Sequence, residues 1–80
     1  MVHDFTLVYA LNPELDSPDE VLRRLAGSDC ADATVGWGRP GHVALAFSRK
    51  AQDRDVAVTL AAAQMAQVLP GAELVRVDAG

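Results

Sequence analysis

Cysteine is nearly absent from this chain: Cys30 stands alone among 80 residues. A lone cysteine forms no internal disulfide and has no second thiol with which to hold zinc, which points to a reducing setting or to no redox role at all. Aromatic side chains are also few, confined to Phe5, Tyr9, Trp37 and Phe47. Half of the residues are apolar, so a core can form, but it will be thin. A core of this size supplies only about 3–5 kcal/mol of net stability, which leaves room for association as a supplement. No apolar run approaches the ~20 residues that span a bilayer. Met1–Asp4 lacks the positive segment of a secretion signal, and the apolar stretch Phe5–Leu11 is too short for one. The expected location is the cytoplasm.

Clustered positive charge is missing as well. Seven Lys and Arg stand against eleven Asp and Glu, a net charge of −4, and the bases are scattered along the chain. Nucleic-acid binding through counterion release needs several cations on one face, so direct binding of DNA or RNA by this domain is not expected. There is no linker, repeat or low-complexity tract. Residues 1–80 read as one domain, near the lower end of what folds without staples.

Alternating and helical periods order the remainder. Phe5, Leu7, Tyr9 and Leu11 alternate with Thr6, Val8 and Ala10, apolar on both sides as in a central strand, and Asn12-Pro13 ends the run. Ser17, Pro18 and Glu20 form an N-cap, a first-turn proline and the return arm of a capping box. The helix that follows buries Val21, Leu22 and Leu25, points Arg23 and Arg24 outward, and closes at Gly27 with a positive φ. Ala33–Trp37 and His42–Phe47 read as a hairpin through Gly38-Arg39-Pro40-Gly41. Asp53 caps a long helix, Arg54 to Leu69, with Val58, Ala61, Ala62, Met65, Val68 and Leu69 as its stripe. Pro70-Gly71 stops it, and Ala72–Val77 is the last strand.

The order β-α-β-β-α-β with right-handed crossovers predicts a ferredoxin-like α+β domain: four antiparallel strands with two helices on one face. Its other face carries Thr6, Val8, Ala10, Ala44 and Ala46, with His42 at one end. Such a flat, uncharged surface suits packing against another sheet, whereas scattered small residues simply tolerate water.

Chemistry finds little footing. His3 and His42 are the only imidazoles, and no motif brings a serine or Cys30 to either. Asp29 and Asp32 have turn spacing but no further ligands for a hard cation, and Gly36–Gly41 lacks the spacing of a phosphate loop. No catalytic residue, metal or cofactor is expected, and the chain reads as a non-enzyme. Trp37 beside Arg39 at the hairpin tip combines the two residue types that dominate binding hot spots, although Trp37 equally suits a lid over the core end. Arg49-Lys50 and Arg54 form a small positive cluster beside Asp53 and Asp55, which reads as a solvated loop with its own ion-pair partners.

Three segments carry a family resemblance: Phe5-Thr6-Leu7, then Cys30-Ala31-Asp32-Ala33-Thr34-Val35-Gly36, then Leu45-Ala46-Phe47-Ser48-Arg49-Lys50-Ala51. They resemble small bacterial proteins patterned Phe-x-Leu, Gly-Cys-x-Asp-Ala-x-x-Gly and Leu-x-Phe-x-Arg-x-Ala ahead of a long helix. In many relatives this domain precedes the excisionase-like helix-turn-helix of DNA-binding regulators, and shorter members stand alone. Cys30, Asp32, Ala33, Gly36, Phe47, Arg49 and Ala51 match. Ser28-Asp29 replaces the glycine step, and Ser48 and Lys50 stand where acids are common. The chain ends at Gly80, after the last strand, which fits either a standalone member or a domain boundary. The resemblance implies a regulatory association domain, homodimeric or bound to a protein partner, and transfers no catalytic residue. Asp32 would bond the turn into the second strand, Gly36 would let the hairpin bend, and Arg49, for which a core has no need, is the motif residue open to a binding role. The expected contact residues are therefore Val8, Ala10, Trp37, Arg39, His42, Ala44 and Arg49. Two other readings are a small acidic antitoxin or immunity-type protein that masks a basic partner, and a small-ligand sensor.

Overall fold

A computed structural model describes residues 1–79. Strand β1 (Val2–Ala10) is followed by helix α1 (Pro18–Ala26), β2 (Thr34–Gly36), β3 (His42–Lys50), α2 (Arg54–Val68) and β4 (Glu73–Ala79). The strands join in one sheet, in the order β2-β3-β1-β4, with every pairing antiparallel. This is the ferredoxin-like arrangement. The nine-residue strands β1 and β3 lie at its centre.

The helix-covered face of the sheet is supplied by alternate residues, Phe5, Leu7 and Tyr9 from β1 and Val43, Leu45 and Phe47 from β3, all buried. Val21 and Leu25 of α1, with Ala57, Ala61, Met65 and Val68 of α2, close over them. The rings of Phe5 and Phe47, cross-strand partners, stack with centroids 5.5 Å apart. Burial raises the Tyr9 phenol to a pKa of about 12, with the nearby Cys30 adding to the shift.

Helix ends follow their local chemistry in part. Ser17 Oγ accepts from Glu20 N at 3.3 Å and Asp53 Oδ1 accepts from Val56 N at 2.9 Å, so both expected N-caps form. The return arm of the capping box does not, because Arg23 and Arg24 both bind the Glu20 carboxylate. Arg24 does not point into solvent: its Nη1 reaches Asp16 Oδ1 at 3.0 Å and its Nη2 the Leu15 carbonyl at 3.2 Å. Gly27 closes α1 at φ −96°, within reach of any residue, and the described residue with positive φ is Gly41. Leu22 is exposed, since a nine-residue helix over this narrow sheet buries only the Val21/Leu25 line. In α2 the burial shifts to include Ala57, with Val58 and Ala62 only partly covered.

The strand limits also move. β1 begins at Val2 because its early residues pair with the far end of β3, Val2 with Lys50 and His3 with Arg49. Arg49-Lys50 therefore belongs to a strand rather than a loop. β2 shrinks to three residues, and β4 runs on to Ala79.

Candidate association surfaces

The sheet face away from the helices is built in rows by strand register. One row reads Thr34–Ala46–Thr6–Asp78 and the next Gly36–Ala44–Val8–Arg76, across all four strands. Ala10 sits between His42 and Glu73 in the row after that. Across β2, β3 and β1 the two middle rows carry no charge and no side chain larger than valine. Gly36 has no positive φ, and an added Cβ there would meet Ala44 Cβ at 3.9 Å, an ordinary contact, so neither a bend nor close packing requires glycine at this position. Charge returns at the margins. The face holds three acids, Asp4, Glu73 and Asp78, and two bases, Lys50 and Arg76, one net negative charge of the chain's four. Arg76 Nε pairs with Asp78 Oδ2 at 2.9 Å, and Ser48 donates to Asp4.

A second surface lies at the hairpin end. Pro40 and Gly41, the latter at φ 75°, form the centre of a turn closed by His42 N on Arg39 O at 3.1 Å. Leu11 N donates to Gly41 O at 2.7 Å and fixes the turn against the end of β1. The groove between this hairpin and the β1–α1 loop encloses about 560 Å³, with Trp37, Arg39 and His42 along one wall and Leu11, Pro13 and Pro18 along the other. Trp37 is 42 % exposed, so it does not close the core. His42 Nδ1 lies 3.1 Å from the Pro40 carbonyl, which makes Nδ1 the protonated nitrogen when the ring is neutral.

Val8, Ala10 and Ala44 thus share the open sheet face, Trp37 and Arg39 share the groove, and His42 occupies the corner between the two. Arg49 stands apart from both. Its side chain lies on the helix side, its guanidinium carbon 4.8 Å from the Phe47 ring centroid. Nε and Nη2 hold the two carboxylate oxygens of Asp32 at 2.7 and 2.8 Å, Nη2 also reaches Asp29 O at 3.1 Å, and Nη1 meets Gln64 Oε1 at 2.8 Å. The partner is Asp32, not Asp53 or Asp55. One side chain therefore ties together the α1–β2 loop, β3 and α2. The Asp32 carboxyl is held below its usual range by these bonds, and the same bonds raise Arg49.

Cys30 lies buried beneath this cluster with its Sγ 4.0 Å from Gln64 Oε1. Burial pushes its thiol up despite the opposing pull of Arg49. Sequence reasoning missed Asp16, which is buried and accepts from Asn12 N and Arg24 Nη1, each at 3.0 Å. Its position three residues after Pro13 in an otherwise exposed loop gave no signal. A further groove of about 900 Å³ runs between α1 and α2, with the Asp16–Arg24 pair in one wall and Gln64 and Gln67 in the other. No group of three metal-ligating side chains converges among the described residues, and no described helix is long and apolar enough to cross a membrane.

No protein-family model matches the chain, and no curated protein or solved structure matches it significantly. The chain stands as a small ferredoxin-like α+β domain, identified by its topology.

Proposed function

We propose that this domain is a non-enzymatic association module whose open sheet face packs against the same face of a second copy. The observation that carries the reading is the pair of middle rows, Thr34–Ala46–Thr6 and Gly36–Ala44–Val8, small and uncharged over three strands. Two sheets approach to ~10 Å when the side chains between them are of this kind. Four strands ~4.8 Å apart and up to nine residues long present roughly 500 Å² per copy, near the lower limit for a stable interface when doubled. The near balance of charge on this face, one net negative charge, keeps the repulsion between two like faces small. The larger negative charge lies elsewhere on the molecule and keeps other faces apart.

The family resemblance of the Cys30–Gly36 and Leu45–Ala51 segments supports service in a bacterial regulator of the excisionase-like type. The Trp37–Arg39 groove would then be the place for a different protein partner, with an aromatic anchor and a cation beside it. Light scattering after size-exclusion chromatography, over a wide dilution range, tests the dimer. A wild-type dimer that Val8→Asp splits into folded monomers sustains the reading. A monomer at every concentration, or a dimer indifferent to Val8→Asp, sinks it.

A further inference from the structure

The two edges of the sheet are treated differently. β2 is only three residues long, a blunt edge with little backbone to offer. β4, at the other edge, runs for seven residues and contains neither proline nor lysine, although Glu73, Arg76 and Asp78 put charge on it. Its outer rim is unpaired, and Leu74, Val75 and Val77 are exposed along it. The register break opposite Val8/Tyr9 bulges the strand at Val75, so the regular part of the edge is centred on Val77.

That regular part has a self-complementary sequence. If two β4 strands run antiparallel with Val77 opposite Val77, residue numbers on facing positions place Arg76 opposite Asp78 of the second copy, and Asp78 opposite its Arg76. The two ion pairs flank the central valines, and Val75 faces Ala79. Arg76 and Asp78 are paired within one chain, 67 % and 44 % exposed, so both remain free to exchange partners. Opposite charges directly across a strand pair are favourable, and like charges there are not. Other residue-centred registers lose this match: a centre at Arg76 sets arginine against arginine.

We propose that the β4 edge is a second self-association surface, on which two copies join in the Val77-centred register to make one continuous eight-stranded sheet. The apolar centre of this surface is separate from the sheet-face contact, because Val77 lies on the helix side of the sheet, opposite Leu7, whereas Arg76 and Asp78 stand at the margin of the open face. An edge joined in this way leaves both open faces on the same continuous surface, so face contacts and edge contacts can act together.

Site-specific crosslinking under a mild oxidant tests it. In this register the two Val77 Cα atoms lie ~4.5–5.5 Å apart, within disulfide reach, whereas the two Val75 Cα atoms are about 14 Å apart. Val77→Cys is expected to form a reducible dimer at least about tenfold faster than Val75→Cys, a comparably exposed control, with the buried Cys30 of the wild type giving none. Adding Arg76→Asp or Asp78→Arg to Val77→Cys slows the crosslink, and mixing the two double variants restores it, because each then supplies the other's opposite charge. Val8→Asp combined with Val77→Cys separates the two surfaces: crosslinking persists although the face contact is broken. Equal rates for Val75→Cys and Val77→Cys, no recovery on mixing, or loss of the crosslink in the Val8→Asp background would each overturn the proposal.

Discussion

The guanidinium of Arg49 holds both carboxylate oxygens of Asp32, at 2.7 and 2.8 Å, across seventeen residues of chain. A fork-to-fork pair of this kind fixes direction as well as distance, and here it fastens the loop leaving α1 to the end of β3. The same guanidinium lies over Phe47, which stacks on Phe5. Surface loop and deep core are therefore joined through four side chains. Arg49 and Asp32 both belong to the motif segments, and their contact explains why an arginine follows the core phenylalanine by two residues.

Removing either partner should loosen this clamp. Asp32→Ala is expected to cost about 1–2 kcal/mol, less than a buried ion pair because the Asp32 side chain is 46 % exposed and water can replace part of the contact. Arg49→Ala should cost more, since it also abandons Gln64 and Phe47. Denaturant unfolding of both single variants and the double variant checks this. Additive losses would mean that the two side chains do not act as a unit.

Acid should expose the same pair. The Asp32 carboxyl has a lowered folded-state pKa, so its contribution is present above the ordinary carboxylate value of about 4 and disappears as pH falls through the folded-state value. The wild type should therefore lose stability below about pH 4 more steeply than Asp32→Asn, whose side chain has no charge to lose. Thermal melts from pH 7 down to pH 2 measure the two slopes. Parallel curves would remove Asp32 from the acid response.

Asp16 bears on the loop between β1 and α1. It is 3 % exposed and satisfies both Asn12 N–H and Arg24. Asp16→Ala leaves a part-buried backbone donor and the Arg24 guanidinium without this partner and is expected to cost about 2 kcal/mol, with Asp16→Asn recovering part by keeping an acceptor. Hydrogen exchange at the Asn12 amide should accelerate in the alanine variant and not in the asparagine variant.

Cys30 should behave as a core residue. With its thiol buried and its pKa raised, alkylation of the native protein at pH 8 should follow unfolding rather than direct attack. Labelling at the rate of the denatured chain would show an accessible thiolate instead.

Much of the fold was legible because its signals are local. The alternation of Phe5, Leu7 and Tyr9, the caps at Ser17 and Asp53, and the turn at Pro40-Gly41 each act within a few residues. What escaped depends on partners distant in the chain. Ser48-Arg49-Lys50 looks like a polar loop until Val2 and His3 pair with it. Arg24 looks solvent-facing until Asp16 folds beneath α1. The contribution of Thr34, Gly36, Arg76 and Asp78 to the open face follows from strand register, which alternation alone does not fix. Val8, Ala10 and Ala44 were placed on that face by period-two spacing, whereas Trp37, Arg39 and His42 met in a groove whose other wall, Pro13 and Pro18, comes from another loop.

The inner position of β1 has a consequence for how the chain reaches this state. Its nearest partner, β3, begins 32 residues later at the Ala10–His42 pair, and β4 joins from 63 residues away at Ala10–Glu73. A ribosome therefore releases an apolar strand that must wait for both neighbours, and the sheet closes only when β4 has emerged. Long-range pairings of this kind slow folding, since loop closure precedes the contacts that reward it. A permuted chain that begins at β3 places β1 directly after β4, cutting the Ala10–Glu73 separation from 63 residues to about 17 plus the joining linker, and should fold at a different speed towards the same arrangement.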